Sequence, residues 1–488
     1  FQMIINRSFK DFEFRHRSKK NQILFTSKKV KNDDEIINLI DNFLIEKNSF
    51  IFESVEKGKI KGRYTIFGKN PDKIWEFNNN TSFQIKNGKK IRLKEKPKKL
   101  IEKIIEEFKF ETPKNLPKIC SLISGFFSYD AIRYVEKIPN KCKNDLKLPD
   151  VRLLRPRTLI IHDNFKKEIF FINNIFKDEK IKNYQTKYNE IKSELNKLQI
   201  QSSIKNLHNI VNNKPQNIKV KSNTSKNKFI SMVKKAKKYI QLGDIFQVVL
   251  SQRFEAKLIK KPIDIYKKLR VTNPSPFMFF FNFSDFQIIG ASPEILVRLR
   301  DNTITVRPIA GTRPRGKNSK EDHFYEKDLL NDKKELSEHL MLLDLGRNDA
   351  GKVSKINSVK VTESFIVERY SHVMHIVSNV IGKYNNKFSK FKSLLAGFPA
   401  GTVSGAPKIR AMEIIDELET SKRKVYAGGI GYFSANGEFD TCIALRTAVA
   451  KNNKFYVQAG AGIVADSKPI NEYIETVNKA KALINALK

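Results

Sequence analysis

The segment from Leu394 to Arg410, LLAGFPAGTVSGAPKIR, constrains the fold of this 488-residue chain more than any other stretch. It places glycines, prolines and the small hydroxyls Thr402 and Ser404 directly before a helix-forming sequence. Glycines let a backbone approach a ligand closely, and the N-terminus of a helix offers free N–H groups to an anion. Apolar residues at helical spacing predict that this helix runs from about Pro407 to Leu418. The segment therefore predicts a close-fitting turn before a helix, although many such turns serve only to connect elements.

The composition excludes several classes of protein. A chain of 488 residues can bury a large core and is expected to fold as two or three units. No apolar run approaches the roughly 20 residues that a bilayer crossing needs, and the N-terminal segment lacks the apolar region of a secretory signal. The cysteines Cys120, Cys142 and Cys442 are too dispersed for a disulfide framework or a zinc site. These features predict a soluble, cytoplasmic protein with no membrane partner.

The net charge of +40 raises the alternative of a basic nucleic-acid-binding protein. Such a protein would cluster its basic residues with stacking aromatic side chains, whereas the lysines here are spread through nearly every segment. We therefore expect a solvated basic surface that attracts small anions, and no nucleic-acid partner. Salt separates the two interpretations, because nucleic-acid affinity falls steeply as the salt concentration rises.

The pattern along the chain predicts two regions joined by a linker. Residues 1–199 form the first region, and residues 200–225, which are rich in Lys, Asn, Gln and Ser and show little periodicity, form the linker. Residues 226–488 open with a helix that Ser225 caps and Gly243 ends. The two regions need not be separate lobes.

Three segments that follow the glycine-rich turn carry a specific resemblance. They are YAGGIGYF (426–433), DTCIALRT (440–447) and QAGAGIV (458–464), and each reads as a short strand bounded by small residues. Together with GTVSGAPK they resemble the chorismate-binding enzymes, and the anthranilate synthases in particular. The resemblance covers most of the chain. It implies an α+β fold in which two packed antiparallel β-sheets are flanked by helices.

The resemblance also implies a substrate site for chorismate, which is a small dianion. Arg446 would make a bidentate contact to a carboxylate, and the glycine-rich strand 458–464 would add backbone N–H groups. The chorismate contacts implied in this way are Gly311, Thr312, Tyr426, Arg446, Gly460, Ala461 and Gly462.

Two helices each carry acidic residues at a spacing of three. Asp332 and Glu335 have the spacing of a capping box, which makes Glu335 structural. Glu338 lies on a helix that is apolar on most sides, so its carboxylate needs a partner. On the last helix an apolar stripe predicts that Glu472 and Glu475 face solvent.

The resemblance reverses that last interpretation, because it implies that Glu338 and Glu475, with Glu472 beside them, hold Mg²⁺. Carboxylates and retained water are the ligands that this small, hard cation prefers. The cation would neutralise a substrate carboxylate, whose unpaired burial would be costly.

The resemblance assigns the catalytic roles to His375, Glu294, Gln247 and Thr402. His375 matches the catalytic histidine, and Glu294 of GASPE matches an acid that protonates the departing 4-hydroxyl, a role that needs a raised pKa. The implied reaction converts chorismate and ammonia into anthranilate and pyruvate, the first committed step of tryptophan biosynthesis.

A segment of the first region resembles the feedback site for L-tryptophan in the same enzymes. A Glu–Ser pair follows an apolar strand there, although Ile51-Phe52 replaces the more usual Leu-Leu and Phe277 a more usual Tyr. The regulatory residues implied are Glu53, Ser54, Asn273, Pro276, Phe277 and Met278.

Two residues separate the close relatives. Aminodeoxychorismate synthases usually carry a nucleophilic lysine where this chain has Ala310, and isochorismate or salicylate synthases usually carry a lysine base where it has Gln247. Both substitutions favour an anthranilate synthase that uses ammonia directly. No glutaminase motif is visible, so we expect a separate glutaminase subunit and a hetero-oligomer.

Overall fold

The computed structural model describes residues 5–30, 34–56, 59–60, 62–204, 218–370 and 373–487. The α-helices within them are α1 (Phe9–Arg17), α2 (Asp34–Phe43), α3 (Pro97–Glu107), α4 (Tyr184–Ser203), α5 (Lys226–Gln241), α6 (Pro262–Thr272), α7 (Ser319–Asn331), α8 (Lys333–Gly351), α9 (Lys390–Ala396), α10 (Lys408–Leu418) and α11 (Pro469–Leu487). Two short 3₁₀ turns lie at Tyr129–Tyr134 and Gly401–Val403.

The strands are β1 (Gln22–Lys29), β2 (Ser49–Glu53), β3 (Val55–Glu56), β4 (Lys59–Ile60), β5 (Tyr64–Asn78), β6 (Thr81–Lys86), β7 (Lys89–Leu93), β8 (Leu122–Phe127), β9 (Val151–Asp163), β10 (Glu168–Ile175), β11 (Val220–Ser222), β12 (Gln247–Lys257), β13 (Phe277–Asn282), β14 (Gln287–Ser292), β15 (Ile295–Arg300), β16 (Thr303–Val306), β17 (Ile309–Pro314), β18 (Lys360–Arg369), β19 (Val373–Lys383), β20 (Gly405–Ala406), β21 (Gly429–Ser434), β22 (Phe439–Ile443), β23 (Thr447–Lys451) and β24 (Lys454–Ile463).

The strands form two antiparallel sheets that share the long strand pair β5 and β9. The first sheet runs β1-β10-β9-β5-β2-β13-β14-β23-β24-β12, and the second runs β7-β6-β5-β9-β8-β21-β22-β15-β16-β19. The first half of β5 pairs with β2 and its second half with β6, and the register shifts between Pro71 and Lys73. Strands that pass from one sheet to the other make the corners of packed sheets. The expected pair of packed antiparallel sheets is confirmed, and the shared strands join them.

Alternation along the strands builds a core on both faces of each sheet. On β13, Phe279 and Phe281 point into an apolar cluster that contains strands of both sheets and, among the described residues, no helix. Met278 and Phe280 point the other way, into a cluster with α2, α4, α6 and α11. The helices therefore cover the outer faces, as the sequence predicted. No helix of the described part of the chain is long and apolar enough to cross a membrane.

Strands of the two predicted regions lie side by side in both sheets. β2 pairs with β13 in the first sheet, and β8 pairs with β21 in the second. Within the predicted linker, α4 ends at Ser203 and β11 spans Val220–Ser222, while residues 205–217 lie outside the described part of the chain. The N- and C-terminal regions thus contribute to one shared core.

Candidate active site

The glycine-rich turn packs its backbone against the start of β12. The Val249 N–H donates to Ser404 O at 2.9 Å, and the Phe246 N–H donates to Ala406 O at 2.8 Å. Gly405 has a φ of +141°, and a Cβ there would lie 2.2 Å from Gln247 O, so only glycine fits. The predicted helix begins one residue late, because Pro407 caps α10 and does not belong to it.

Two glycines of β24 allow side chains from three other elements to meet. A Cβ at Gly462 would lie 2.6 Å from Gln247 Nε2, and a Cβ at Gly460 would lie 2.6 Å from the Tyr426 hydroxyl oxygen. Gln247 is buried and donates from Nε2 to Glu338 Oε1 at 2.8 Å. The small residues predicted from the QAGAGIV segment therefore lie where larger side chains would displace Gln247 and Tyr426.

Carboxylates from α8 and α11 face one another near Gln247. Burial raises the pKa of Glu338, and the charges of Glu335 and Glu475 raise it further. Burial also raises the pKa of Glu472, again with a contribution from Glu475. Glu475 is more exposed and pairs with Lys479 at 2.6 Å. The arrangement concentrates negative charge that burial and mutual repulsion disfavour.

The apolar stripe gave the wrong orientation for Glu472, whereas Glu475 is exposed as the stripe predicted. Glu472 is only 7% exposed, whereas Ile470 and Ile474 are 38% and 47% exposed. The buried face of the helix carries Thr476 and Ala480, small residues that let it pack closely. Asp332 does cap α8 as predicted, accepting from the N–H groups of Lys334 and Glu335.

The carboxylates fit a magnesium ion in charge and in ligand type. Among the described residues, no group of three or more His, Cys, Asp or Glu side chains is arranged to hold a metal by itself. Mg²⁺ characteristically takes one or two carboxylates and completes its shell with water and substrate oxygen. A cation between α8 and α11 would relieve the repulsion that raises the pKa values of Glu338 and Glu472.

His375 lies on β19, and hydrogen bonds fix the orientation and the tautomer of its neutral ring. Its Nδ1 lies 2.8 Å from Gly311 O and 3.1 Å from Thr312 Oγ1. Since a carbonyl oxygen only accepts, Nδ1 carries the proton and Nε2 is left as an acceptor. Burial lowers the pKa of His375 to about 4, and the charges of Arg446 and Lys479 contribute. The imidazole is therefore uncharged at neutral pH.

Glu294 is the buried acid of the site. Burial raises its pKa to about 8, against the opposing effects of the Thr402 hydroxyl and the Ile309 N–H. Thr402 and Glu294 together line a cavity of about 20 Å³, enough for one water molecule. The carboxyl group is thus protonated at neutral pH and can donate a proton.

Arg446 interacts electrostatically with both His375 and Tyr370, and the region that these side chains share with Glu294 and Glu338 is called the cleft. Its side chain is exposed, yet desolvation by the surrounding protein lowers the pKa of its guanidinium. No described carboxylate forms an ion pair with it. An accessible, desolvated and unpaired guanidinium is suited to bind a carboxylate from a ligand.

Two residues near the site were missed by the sequence analysis. The Tyr370 ring lies 5.5 Å from the His375 ring, and its hydroxyl donates to Glu368 Oε2 at 2.8 Å. Lys479 donates to Gly460 O at 3.1 Å as well as to Glu475. Only the helical spacing of Glu475 and Lys479, four residues apart, could have indicated the second.

The predicted regulatory residues meet at the junction of β2, α6 and β13. The Glu53 carboxylate accepts from the Tyr266 hydroxyl at 2.6 Å and from Arg270 Nε at 2.8 Å. Met278 lies opposite Glu53 in the register of the two strands. Ser54 follows β2, and the half-buried residues Asn273, Pro276 and Phe277 connect α6 to β13.

Comparison with known proteins identifies the family of this chain. A family profile described as chorismate binding enzyme matches residues 47–485. Anthranilate synthase component 1 of Cereibacter sphaeroides is 46% identical over 484 residues, which cover 98% of this chain and 97% of that protein.

Solved structures share the fold. Anthranilate synthase component I of Streptococcus pneumoniae superimposes with a TM-score of 0.77 at 40% identity, over 87% of this chain and 93% of that one. The isochorismate synthase MenF of Escherichia coli superimposes with a TM-score of 0.71 at 18% identity, over 98% and 99% of the two chains. The second likeness concerns the fold alone. The chain belongs to the chorismate-binding enzymes and, among them, to the anthranilate synthase component 1 family.

Proposed function

We propose that this chain is the chorismate-aminating subunit of an anthranilate synthase, converting chorismate and ammonia into anthranilate and pyruvate. The observation that carries the proposal is that an unpaired Arg446, a protonated Glu294 and a neutral His375 all lie within electrostatic or ring contact of Tyr370. A dianionic substrate needs the cationic Arg446, and loss of its 4-hydroxyl needs the acid Glu294. A relative that is 46% identical to this chain is named anthranilate synthase component 1.

Different residues of the cleft would bind different parts of the substrate. Arg446 takes one substrate carboxylate through a bidentate contact. Gly460, Ala461 and Gly462 would add backbone N–H groups, and the two glycines leave room for the Tyr426 hydroxyl and the Gln247 amide, which a Cβ at either position would meet at 2.6 Å. Gly311 and Thr312 hold the imidazole of His375 at the other side.

The proton-transfer groups suit an amination in two stages. Ammonia adds at C2 while Glu294 gives its proton to the departing 4-hydroxyl, which leaves as water. Elimination of pyruvate then removes the C2 proton, which the free Nε2 of His375 can accept, and the ring becomes aromatic. The pKa of Glu294, raised to about 8, and the pKa of His375, lowered to about 4, place each group in the protonation state its step requires.

Mg²⁺ forms part of the proposal, with Glu338, Glu472 and Glu475 as the residues that would hold it. When bound, the ion supplies positive charge that neutralises a substrate carboxylate. Gln247 orients Glu338 through its hydrogen bond, so the amide acts on the position of the carboxylate and not as a base.

The products separate this proposal from its close rivals. Ala310, opposite Ile376 on β19, offers no nucleophile to the ring, and the amide of Gln247 cannot take a proton from water at working pH. We expect chromatography of a completed reaction with chorismate, Mg²⁺ and ammonium to show anthranilate and pyruvate. A main peak of aminodeoxychorismate, isochorismate or salicylate would overturn the assignment.

A glutaminase subunit is the proposed source of ammonia in the cell, which makes the working enzyme a hetero-oligomer. We place it in the cytoplasm, because Cys120, Cys142 and Cys442 are all free. Addition of the partner should let glutamine replace ammonium in the assay, whereas the isolated chain should use ammonium only.

Feedback by L-tryptophan completes the proposal. An apolar wall at Phe277 and Met278 would hold the indole, and Glu53 and Ser54 its amino-acid end. Inhibition requires tryptophan to prefer one of two states of the enzyme. We expect Ser54→Phe to relieve inhibition by filling the pocket. If calorimetry shows that the affinity for chorismate is the same with and without bound tryptophan, the coupling is excluded.

A further inference from the structure

A buried ion pair, Arg423 with Glu419, lies directly behind the cleft. Their side chains are only 1% and 3% exposed. Arg423 donates from Nε to Glu419 Oε2 at 3.0 Å and from Nη2 to Glu419 Oε1 at 2.7 Å, so the guanidinium and the carboxylate meet in a bidentate fork. A fork of this kind fixes orientation as well as distance.

The same guanidinium reaches the backbone of two segments that carry site residues. Nη1 donates to Val403 O at 2.7 Å, in the turn that carries Thr402. Nη2 donates to Val249 O at 2.6 Å, two residues along β12 from Gln247. Arg423 thus ties the glycine-rich turn to the strand beside it.

Two tyrosine rings complete the surroundings of Arg423. Its Cζ lies 5.5 Å from the centroid of the Tyr426 ring and 4.8 Å from that of Tyr129. A cation over a ring face attracts it and restricts its tilt. The hydroxyl of Tyr426 is the group that approaches Gly460 so closely.

Glu419 extends the network to β24. Its Oε1 also accepts from the Ser251 N–H at 2.8 Å and from the Ser251 hydroxyl at 2.7 Å. That hydroxyl accepts from Gln458 Nε2 at 2.8 Å, and Ser251 lies opposite Gly460 in the register of β12 and β24. The ion pair therefore contacts the glycine-rich turn and β12 directly and is linked to β24 through Ser251.

We propose that Arg423 is a positioning residue of the aminating site, which holds the Thr402 turn, β12 and the Tyr426 ring in one geometry without touching substrate. This inference rests on the proposed function. A lysine in its place would keep the charge but lose the planar fork, and one ammonium group cannot serve both carbonyls and both carboxylate oxygens at their present angles.

Arg152 offers a matched control. It is equally buried, donates from Nε and Nη2 to Glu76 Oε2, forms a fork with Asp285, and lies 4.8 Å from the Phe286 ring. None of these partners belongs to the cleft. Arg152→Lys should therefore disturb a comparable ion pair while leaving turnover close to that of the wild type.

The experiment measures kcat, KM for chorismate and the thermal unfolding midpoint for the full chain, with ammonium as the nitrogen source. We expect Arg423→Lys to lower kcat about 100-fold, with a smaller change in KM, while its midpoint falls no further than that of Arg152→Lys. Equal kcat in the two variants would overturn the inference.

A gentler variant keeps the test decisive if Arg423→Lys does not fold. Glu419→Gln retains an acceptor for Ser251 and should lower kcat about tenfold. A wild-type kcat in Glu419→Gln would overturn the inference. Absence of turnover in the wild-type chain would instead reject the proposed function, so the two failures are distinguishable.

Discussion

The cleft and the cluster around Arg152 differ in whether their charged side chains are paired with opposite charges. Arg152 is 2% exposed in its side chain and donates to Glu76 and Asp285, while Glu76 also accepts from Lys90 and Asn78. In the cleft, Arg446 has no described carboxylate partner, and Glu338 and Glu472 lie near other carboxylates. A protein that can pair its charges and leaves some unpaired has kept them for a ligand.

The largest effect should come from removing a cleft carboxylate. Glu338→Gln keeps the volume and removes a charge whose pKa burial raises, so the fold should be as stable as the wild type or more so. Turnover at limiting Mg²⁺ should fall about 1000-fold if the charge holds the ion.

Glu475→Gln should behave in the same way, and Asp344→Asn on the exposed side of α8 is the control. Steady-state rates over a Mg²⁺ titration provide the measurement. Either glutamine variant with wild-type activity at low Mg²⁺ would show that the metal assignment is wrong.

Removal of the unpaired cation should have the next largest effect. Arg446→Gln should lower kcat/KM for chorismate about 100-fold, because a desolvated bidentate contact to a carboxylate is lost. The unfolding midpoint should not fall, since no described carboxylate depends on this guanidinium. A loss of stability without a loss of kcat/KM would place Arg446 in the structural class.

The Arg152 cluster should show the reverse pattern. Glu76→Gln leaves a buried guanidinium short of charge, which should lower the free energy of unfolding by about 3 kcal/mol. Its kcat should remain that of the wild type. Urea unfolding followed by fluorescence, with kcat measured on the same preparation, tests both halves of this expectation.

The smallest expected effect is the pH dependence of stability. Folding raises the pKa of Glu294 from 4.5 to about 8, so its contribution to stability is fully present below pH 4.5 and is lost as pH rises through about 8. Activity that needs the protonated carboxyl group of Glu294 should also decline as pH rises through about 8. For His375 the pKa is lowered from 6.5 to about 4, so its contribution to stability is fully present above pH 6.5 and is lost as pH falls from there to about 4.

Glu294→Gln isolates this effect. Its stability should depend less on pH between 4.5 and 8 than that of the wild type, and its turnover should be lost throughout. A kcat–pH profile that stays flat to well above pH 8 in the wild-type enzyme would contradict the assignment of Glu294 as the acid.

Glycine motifs and apolar stripes differed in how well they predicted the structure. Gly405, Gly460 and Gly462 mark places where backbone or side chains approach too closely for a Cβ, and that requirement is visible in the sequence. The orientation of α11 was not, because Thr476 and Ala480 carry little apolar signal although they form its buried face. Ile470 and Ile474 are therefore exposed at the start of the helix, whereas Leu483 and Leu487 are buried toward its end.

Contacts between segments that lie far apart in the chain could not be predicted from the sequence. Arg423 lies three residues before the YAGGIGYF segment but is not part of any recognised motif. Its partners Val249 and Val403 come from other parts of the chain. Nothing local distinguishes it from the many exposed basic residues. The resemblance implied which residues form the site, but the ion pair behind them could be found only from the structure.

The strands shared by the two sheets have a consequence for how the chain is made. β2 finds its neighbour β13, and β8 its neighbour β21, only after most of the later sequence has left the ribosome. Until then these apolar strands present open edges, the kind of surface on which nascent chains aggregate. Neither half can complete its own layers, so synthesis of the first region alone should yield a product that depends on chaperones.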